Sequence, residues 1–241
     1  MGVQDLQEYV ESSCPEACKP VDLLKIARGL ALSKAGKRRG PNNLCLVVDG
    51  ESCLDRLYGG YYSDWACGGQ WNRMTEFLHT LVQACRSAHM ELVVFFDGSM
   101  QNQNIAQWYR DQINMKRNVA QVFKHVNNKA TPPPKVWWVS PMCLRSALRL
   151  AFRHLGVKVA SSMDDHRQEV IGFCRDHGYH GVLAHSADYV MFDPPRYFSS
   201  EHLKLTYKGA LETTEYVHDD VAKLLDLHPK RFCVLGALLG N

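Results

Sequence analysis

The chain has 241 residues, 46% of them hydrophobic and 22% charged, which is enough for one large α/β domain with a full core. Its formal charge of +3 and pI near 8.3 permit a polyanionic partner without demanding one. No apolar stretch approaches about 20 residues, and the start lacks the charged-then-apolar build of a signal peptide. A membrane span is therefore excluded, and a soluble, intracellular protein is expected. The nine cysteines, an odd number without metal-ligand spacing, fit a reducing compartment. Cys14-x-x-x-Cys18 has no second pair nearby, so a zinc site there is not expected.

In chain order, residues 21–30 predict a short helix and 33–43 a basic loop with Lys34, Lys37, Arg38 and Arg39. A strand follows at Leu44-Cys-Leu-Val-Val-Asp49. The spacing of Trp71, Met74, Phe77, Leu78, Leu81 and Cys85 predicts a helix from Asp64 to Ala88, its first turn weakened by Gly68-Gly69. Next come a strand at Glu91-Leu-Val-Val-Phe-Phe-Asp97 and a long polar helix from about Asn104 to Asn127, stopped by Thr131-Pro-Pro-Pro134. Val136–Ser140 reads as a strand, Leu144–Leu155 as a helix, Val157–Ser161 as a strand and Asp164–His177 as a helix. The strand Gly181–Asp188 precedes helical stretches at 214–226 and 229–239. Strand and helix alternate throughout, so the expectation is a doubly wound α/β fold with a mostly parallel sheet, occupying residues 1–241 as a single domain.

Three of these strands end in an aspartate, namely Asp49, Asp97 and Asp188. Uninterrupted apolar runs mark strands buried on both faces, and ligands of open parallel sheets gather at the carboxyl ends of such strands. Carboxylates converging there repel one another. At about 5 Å and an effective dielectric near 20, each pair costs roughly 3 kcal/mol. Protonation, a basic partner or a divalent metal relieves that repulsion.

Several fragments resemble the flap endonuclease (XPG-type) family. They are Met1-Gly-Val-x-x-Leu6, Val48-Asp49, Phe95-Phe-Asp97-Gly98, an acidic helix start before a strand ending in Asp188, and Ala237-Leu-Leu-Gly240-Asn241. More specific fragments resemble the constitutive coactivator of PPAR-gamma family over essentially the whole chain. These are Arg56-Leu-Tyr-Gly-Gly60, Asp64-Trp65, Gly68-Gly-Gln-Trp71, Asn128-Lys-x-Thr-Pro-Pro-Pro-Lys135, Gln168-Glu-Val-Ile-Gly-Phe-Cys174 and Ala237-Leu-Leu-Gly-Asn241. That resemblance implies a PIN-like, flap-nuclease-like fold forming the N-terminal part of a longer protein. It also implies RNA binding, coactivator or scaffold roles with nuclear receptor or signalling partners, and a cytoplasmic and nuclear location.

Against the nuclease pattern, Asp49 and Asp97 match. The Glu-x-Glu pair at a helix start falls on Asp165 and Arg167, with Glu169 four residues beyond Asp165 and able to share its helix face. The Asp-x-Asp pair becomes Ser186-Ala-Asp188, and the last carboxylate would fall just past Asn241. Asp49, Asp97, Asp165 and Asp188 could hold one Mg²⁺ or Mn²⁺, but a second ion would have lost its ligands, and an arginine aimed at the cluster would neutralise part of it. The site, with Glu169, is expected to be vestigial. For phosphate contacts the candidates are Lys37, Arg38, Arg39, Arg110, Lys116 and Arg117, because the stretch right after Phe-Asp-Gly is uncharged.

Blander readings stand beside these. A strand-end aspartate is most often a helix N-cap. His166, His177, His180 and His185 are irregularly spaced and read as surface or supporting histidines, while Trp65, Trp71, Trp137 and Trp138 read as core. The favoured expectation is a non-catalytic, nuclease-derived domain that binds RNA and protein. The alternatives are an active Mg²⁺-dependent structure-specific nuclease and a purely structural domain.

Overall fold

The computed structural model describes residues 6–33, 43–59, 65, 68–98, 105–134, 137–186, 188–192 and 194–239. The predicted basic loop with Lys37, Arg38 and Arg39 lies outside them, as do Asp64 and the terminal Gly240-Asn241.

The helices are α1 Leu6–Ser13, α2 Leu23–Ser33, α3 Leu54–Leu57, α4 Trp71–Ser87, α5 Ile105–Lys129, α6 Leu144–His154, α7 His166–Asp176, α8 Asp188–Met191, α9 His218–Leu224 and α10 Pro229–Leu239. The strands are β1 Cys18–Asp22, β2 Leu44–Asp49, β3 Met90–Asp97, β4 Lys158–Ser162, β5 Gly181–Ala184, β6 Tyr197–Leu205 and β7 Leu211–Tyr216. They form one sheet in the order β1-β7-β6-β5-β2-β3-β4. The five strands β6-β5-β2-β3-β4 are parallel, whereas β7 and β1 close the far edge antiparallel.

Alternation along the central strands explains their unbroken apolar sequence. Leu44, Leu46 and Val48 of β2, with Val94 and Phe96 of β3, enter a core shared with α2, α4 and α6. The intervening Val47, Val93 and Phe95 point to the other face, into a core with α1, α7, α9 and α10. Both faces are covered, so neither set of positions is left polar.

Some elements differ from the sequence reading. Residues 137–140 pair with no strand; Trp137 N–H instead donates to the Pro134 carbonyl at 3.0 Å, and Trp137 and Trp138 pack on the first core from a loop. The prolines at 132–134 hold the chain leading into that segment outside the sheet, and the segment follows them as a loop. Residues 214–226 are not one helix, because 211–216 form β7, where Thr214 and Tyr216 pair with both β6 and β1 and Thr213 pairs with β1. Their β-branched and aromatic side chains favour that pairing. Strands β1 and β6, whose residues carry no clear alternation, complete this antiparallel edge. Helix α4 begins at Trp71 because Gly68 and Gly69 hold φ of +109° and +92°. Strand β5 stops at Ala184, four residues before Asp188.

In Phe-Asp-Gly, the glycine answers a close approach. A Cβ on Gly98 would stand 2.5 Å from the Ser162 carbonyl oxygen of β4. Gly98→Ala is expected to lower stability by about 2 kcal/mol, read from urea unfolding, because backbone must move to admit it. An unchanged midpoint would contradict that contact.

Candidate functional site

The chain runs β2, β3, β4 to one side and then returns to lay β5 on the other side of β2. The strand order reverses between β2 and β5, and at this point an open α/β sheet leaves a crevice beyond its carboxyl ends. Asp49 closes β2 there, Asp97 closes the neighbouring β3, and Asp188 opens α8 just after β5. An open cleft of about 900 Å³ lies over Asp49 and Asp97, walled by Glu51, Asp111, Arg145, His166, Arg167 and Trp108 among others.

Asp49 is only 2% exposed, and its carboxylate is fully engaged. Oδ1 accepts from the backbone N–H of Glu51 (3.0 Å) and of Ser52 (3.2 Å) and from His166 Nε2 (2.8 Å). Oδ2 accepts from the Tyr189 hydroxyl at 3.0 Å. Burial pushes the Asp49 carboxyl up, but the hydrogen bond and charge of His166, aided by Ser52, outweigh it and leave the acid below its ordinary range. Burial likewise pulls His166 down, and Asp49, with the charges of Asp97 and Glu51, holds it above its ordinary value. Tyr189 is pushed well up by burial and by the Asp49 charge, so it stays a neutral donor.

The other nitrogen of His166 extends the chain of contacts. Nδ1 lies 3.0 Å from Ser162 Oγ, which donates to Asp97 Oδ1 at 3.4 Å. One imidazole ring and one hydroxyl thus link the two strand-end carboxylates. The Asp97 backbone is also held, its N–H donating to Glu51 Oε1 and its carbonyl accepting from Arg149. Glu51 is itself paired with Arg145.

Asp188 is buried and ion-paired with Arg167 on α7, and it also accepts from the Ser186 hydroxyl at 3.3 Å. The two positions where the nuclease pattern asks for acids, Arg167 and Ser186, therefore turn onto the acid that remains. Asp165 does not share a helix face with Glu169. It is the N-cap of α7, accepting from Gln168 N–H at 2.9 Å. Glu169 folds back to accept from the N–H groups of Met163 (2.8 Å) and Asp164 (2.5 Å).

These carboxylates do not fit a shared metal ion as arranged. Each answers a basic side chain, a hydroxyl or a backbone donor. Among the described residues, no three of Asp49, Asp97, Asp165, Glu169 and Asp188 bring donor atoms within 4.8 Å of one another. A basic partner has taken the role that a divalent ion would otherwise fill.

Of the phosphate-contact candidates, Arg110, Lys116 and Arg117 are exposed on α5, with Arg110 and Arg117 two turns apart on one face. Arg110 donates to Gln107 Oε1 at 2.7 Å. The four histidines do not gather: His177 stacks on Phe173, His180 Nδ1 accepts from Cys45 N–H, and His185 reaches Glu201. No motif or spacing marks Tyr189 or Glu51 as site residues, nor Trp108, which is 46% exposed on the cleft wall. No helix among the described residues is long and apolar enough to cross a membrane.

No family model matches the chain. It is 48% identical over 243 residues to human constitutive coactivator of PPAR-gamma-like protein 1, covering all of this chain and 22% of that protein. Human constitutive coactivator of PPAR-gamma-like protein 2 is 35% identical, with all of this chain and 29% of that protein covered. The chain thus spans less than a third of the length of these relatives. Among solved structures, human GEN1 in complex with Holliday junction DNA superposes with a TM-score of 0.57 at 12% identity, covering 100% of this chain and 50% of that one. The catalytic core of Rad2 in complex with DNA substrate gives 0.56 at 13% identity, with 97% and 61% covered. Those likenesses establish the fold, a flap-nuclease-like α/β domain.

Proposed function

We infer that this chain, which belongs over its whole length to the constitutive coactivator of PPAR-gamma family, is a nuclease-derived binding domain that contacts RNA and protein partners without cutting nucleic acid. The observation that carries this reading is the ion pair of Arg167 with Asp188, beside Asp49 held by His166. A two-metal phosphodiester reaction needs carboxylates free to share ions that activate water. Here the acids are occupied by the protein's own cations. RNA would be held through its phosphates by Arg110, Lys116 and Arg117 on α5, an arrangement that asks for no metal. The relatives' names point to a nuclear receptor as protein partner; signalling proteins as further partners, and a place in both cytoplasm and nucleus, are part of the same proposal.

The test combines retention and cleavage. Labelled RNA is expected to be retained at low salt and released steeply as salt rises. The triple change Arg110→Ala, Lys116→Ala, Arg117→Ala should reduce the slope of log affinity against log salt by about 2, since each phosphate contact on a single strand contributes about 0.7. With Mg²⁺ or Mn²⁺ on flap, single-stranded DNA and RNA substrates, no cutting is expected. Metal-dependent cleavage abolished by both Asp97→Ala and Asp188→Ala would overturn the reading and favour an active nuclease. Absence of all nucleic-acid binding would remove RNA from it.

A further inference from the structure

Beside the cleft, on the antiparallel side of the sheet, lies a second group of titratable side chains that the reading above does not use. Glu11 on α1 and Glu201 and His202 on β6 bring one ligand atom each within 4.8 Å of one another. His202 Nε2 is 3.5 Å from Glu11 Oε1, and His185 approaches from the loop after β5 with Nδ1 3.8 Å from Glu201 Oε2. Two imidazoles and two carboxylates come together from three separate elements.

The strand is irregular where it must be. Neighbouring residues of a regular strand point to opposite faces, so Glu201 and His202 would not normally serve one site. Here the pairing jumps from Ser199↔Thr214 to Lys204↔Glu212, so that five residue steps on β6 oppose two on β7. The surplus bulges out and turns both side chains toward α1.

Buried polar groups support this cluster from beneath. Gln7, only 7% exposed, donates from Nε2 to Glu11 Oε1 at 3.3 Å and to Glu201 Oε2 at 3.1 Å, clamping two like charges together. The buried Tyr216 hydroxyl also donates to Glu11. Outer hydrogen bonds of this kind orient metal-binding carboxylates. In the cleft, Asp188 and Glu51 each meet an arginine; among the described residues, the ion pairs of Glu11 and Glu201 are with histidine alone. Two glutamates with neutral imidazoles would balance the charge of a divalent cation.

We propose that Glu11, Glu201 and His202, with His185 as fourth donor, form a binding site for a transition-metal ion of the zinc type. Imidazole with carboxylate is a donor set suited to Zn²⁺ rather than Mg²⁺. Ligand atoms around tetrahedral zinc are about 3.3 Å apart, so the three must close from at most 4.8 Å by about 1.5 Å. Side chains a third to a half exposed can make that movement, and an ion can reach them from solvent. A bound ion would tie α1 to the β6 bulge and to His185, which precedes Ser186 after β5.

Calorimetric titration of the metal-stripped chain with Zn²⁺ tests this. One equivalent is expected to bind, its affinity falling at least about tenfold in His202→Ala and in Glu201→Gln, and unchanged in Asp188→Asn. Zinc taken up by the exposed Cys143 and Cys233 thiols would be the same in all four proteins and would add to that equivalent, so the difference between the proteins is the readout. Co²⁺ should give the visible absorption of a low-coordinate site in the wild-type chain and lose it in His202→Ala. Metal-free melting of Glu201→Gln at the wild-type temperature would show that the fold is intact. Zinc binding equal in wild type, His202→Ala and Glu201→Gln, or absent from all of them, overturns the proposal.

Discussion

Replacing His166 with alanine is expected to remove about 3 kcal/mol or more of unfolding free energy at pH 6. The change leaves Asp49, buried at 2% exposure, without its charged partner, and stranding one member of a buried pair is among the most damaging changes a core can suffer. The remaining donors, Glu51 N–H, Ser52 N–H and the Tyr189 hydroxyl, soften the loss without supplying a charge. The pH dependence carries a definite sign. His166 is raised above its ordinary value, so its contribution is complete below about pH 6.5 and is lost as pH climbs through the raised folded value. Asp49 is lowered, so its contribution is present above about pH 4 and is lost as pH falls through the lowered folded value. The pair therefore stabilises most between about pH 4 and 6.5. Urea unfolding of wild type and His166→Ala at pH 6 and pH 9 reads this directly. The difference between them should shrink at pH 9; a gap that stays constant or widens would mean that no imidazolium sits beside Asp49.

The double change Arg167→Glu with Ser186→Asp should make the domain's stability depend on Mg²⁺. It returns carboxylates to two positions where the flap-nuclease pattern has them and removes the cation paired with Asp188. Without metal, the variant is expected to lose about 2 kcal/mol, less than a fully buried pair would cost because half of the Arg167 side chain is in solvent. With Mg²⁺ at about a hundred times its dissociation constant, roughly 2.7 kcal/mol should return. Thermal melting with and without Mg²⁺ measures both effects. Wild type should show no such shift. A double variant equally indifferent to Mg²⁺ would mean that more than these two side chains separates the cleft from a metal centre.

Much of the cleft was legible in the chain. Continuous apolar runs ending in Asp49 and Asp97 required strands buried on both faces, and their carboxyl ends required a crevice. Counting back from Asp188 placed Arg167 where an acid is wanted. What counting could not reveal is that Arg167 spans from α7 to Asp188, or that Asp165 and Glu169 are spent on capping α7. His166 stood in view as one of four scattered histidines. Only the packing of α7 against the ends of β2 and β4 placed its two nitrogens between Asp49 and Ser162.

The antiparallel edge shows the opposite case. Strands β1, β6 and β7 carry Lys19, Pro20, Ser199, Ser200, Thr213 and Thr214 where a central strand would carry valine and leucine. Their strand state comes from pairing with each other, a nonlocal cause that leaves little periodicity in sequence. Glu11, Glu201 and His202 meet across that edge, separated in the chain by nearly the length of the domain.

The sequence by itself determined the central parallel strands, their covering helices and the positions where acids were kept or replaced. Periodicity and composition are local records of burial, and they persist along the chain whatever the rest of it does. The tertiary structure alone decided which charge answers which carboxylate. Ion pairing depends on distances between elements that the chain separates by tens of residues, and only the closed sheet brings those elements to one end.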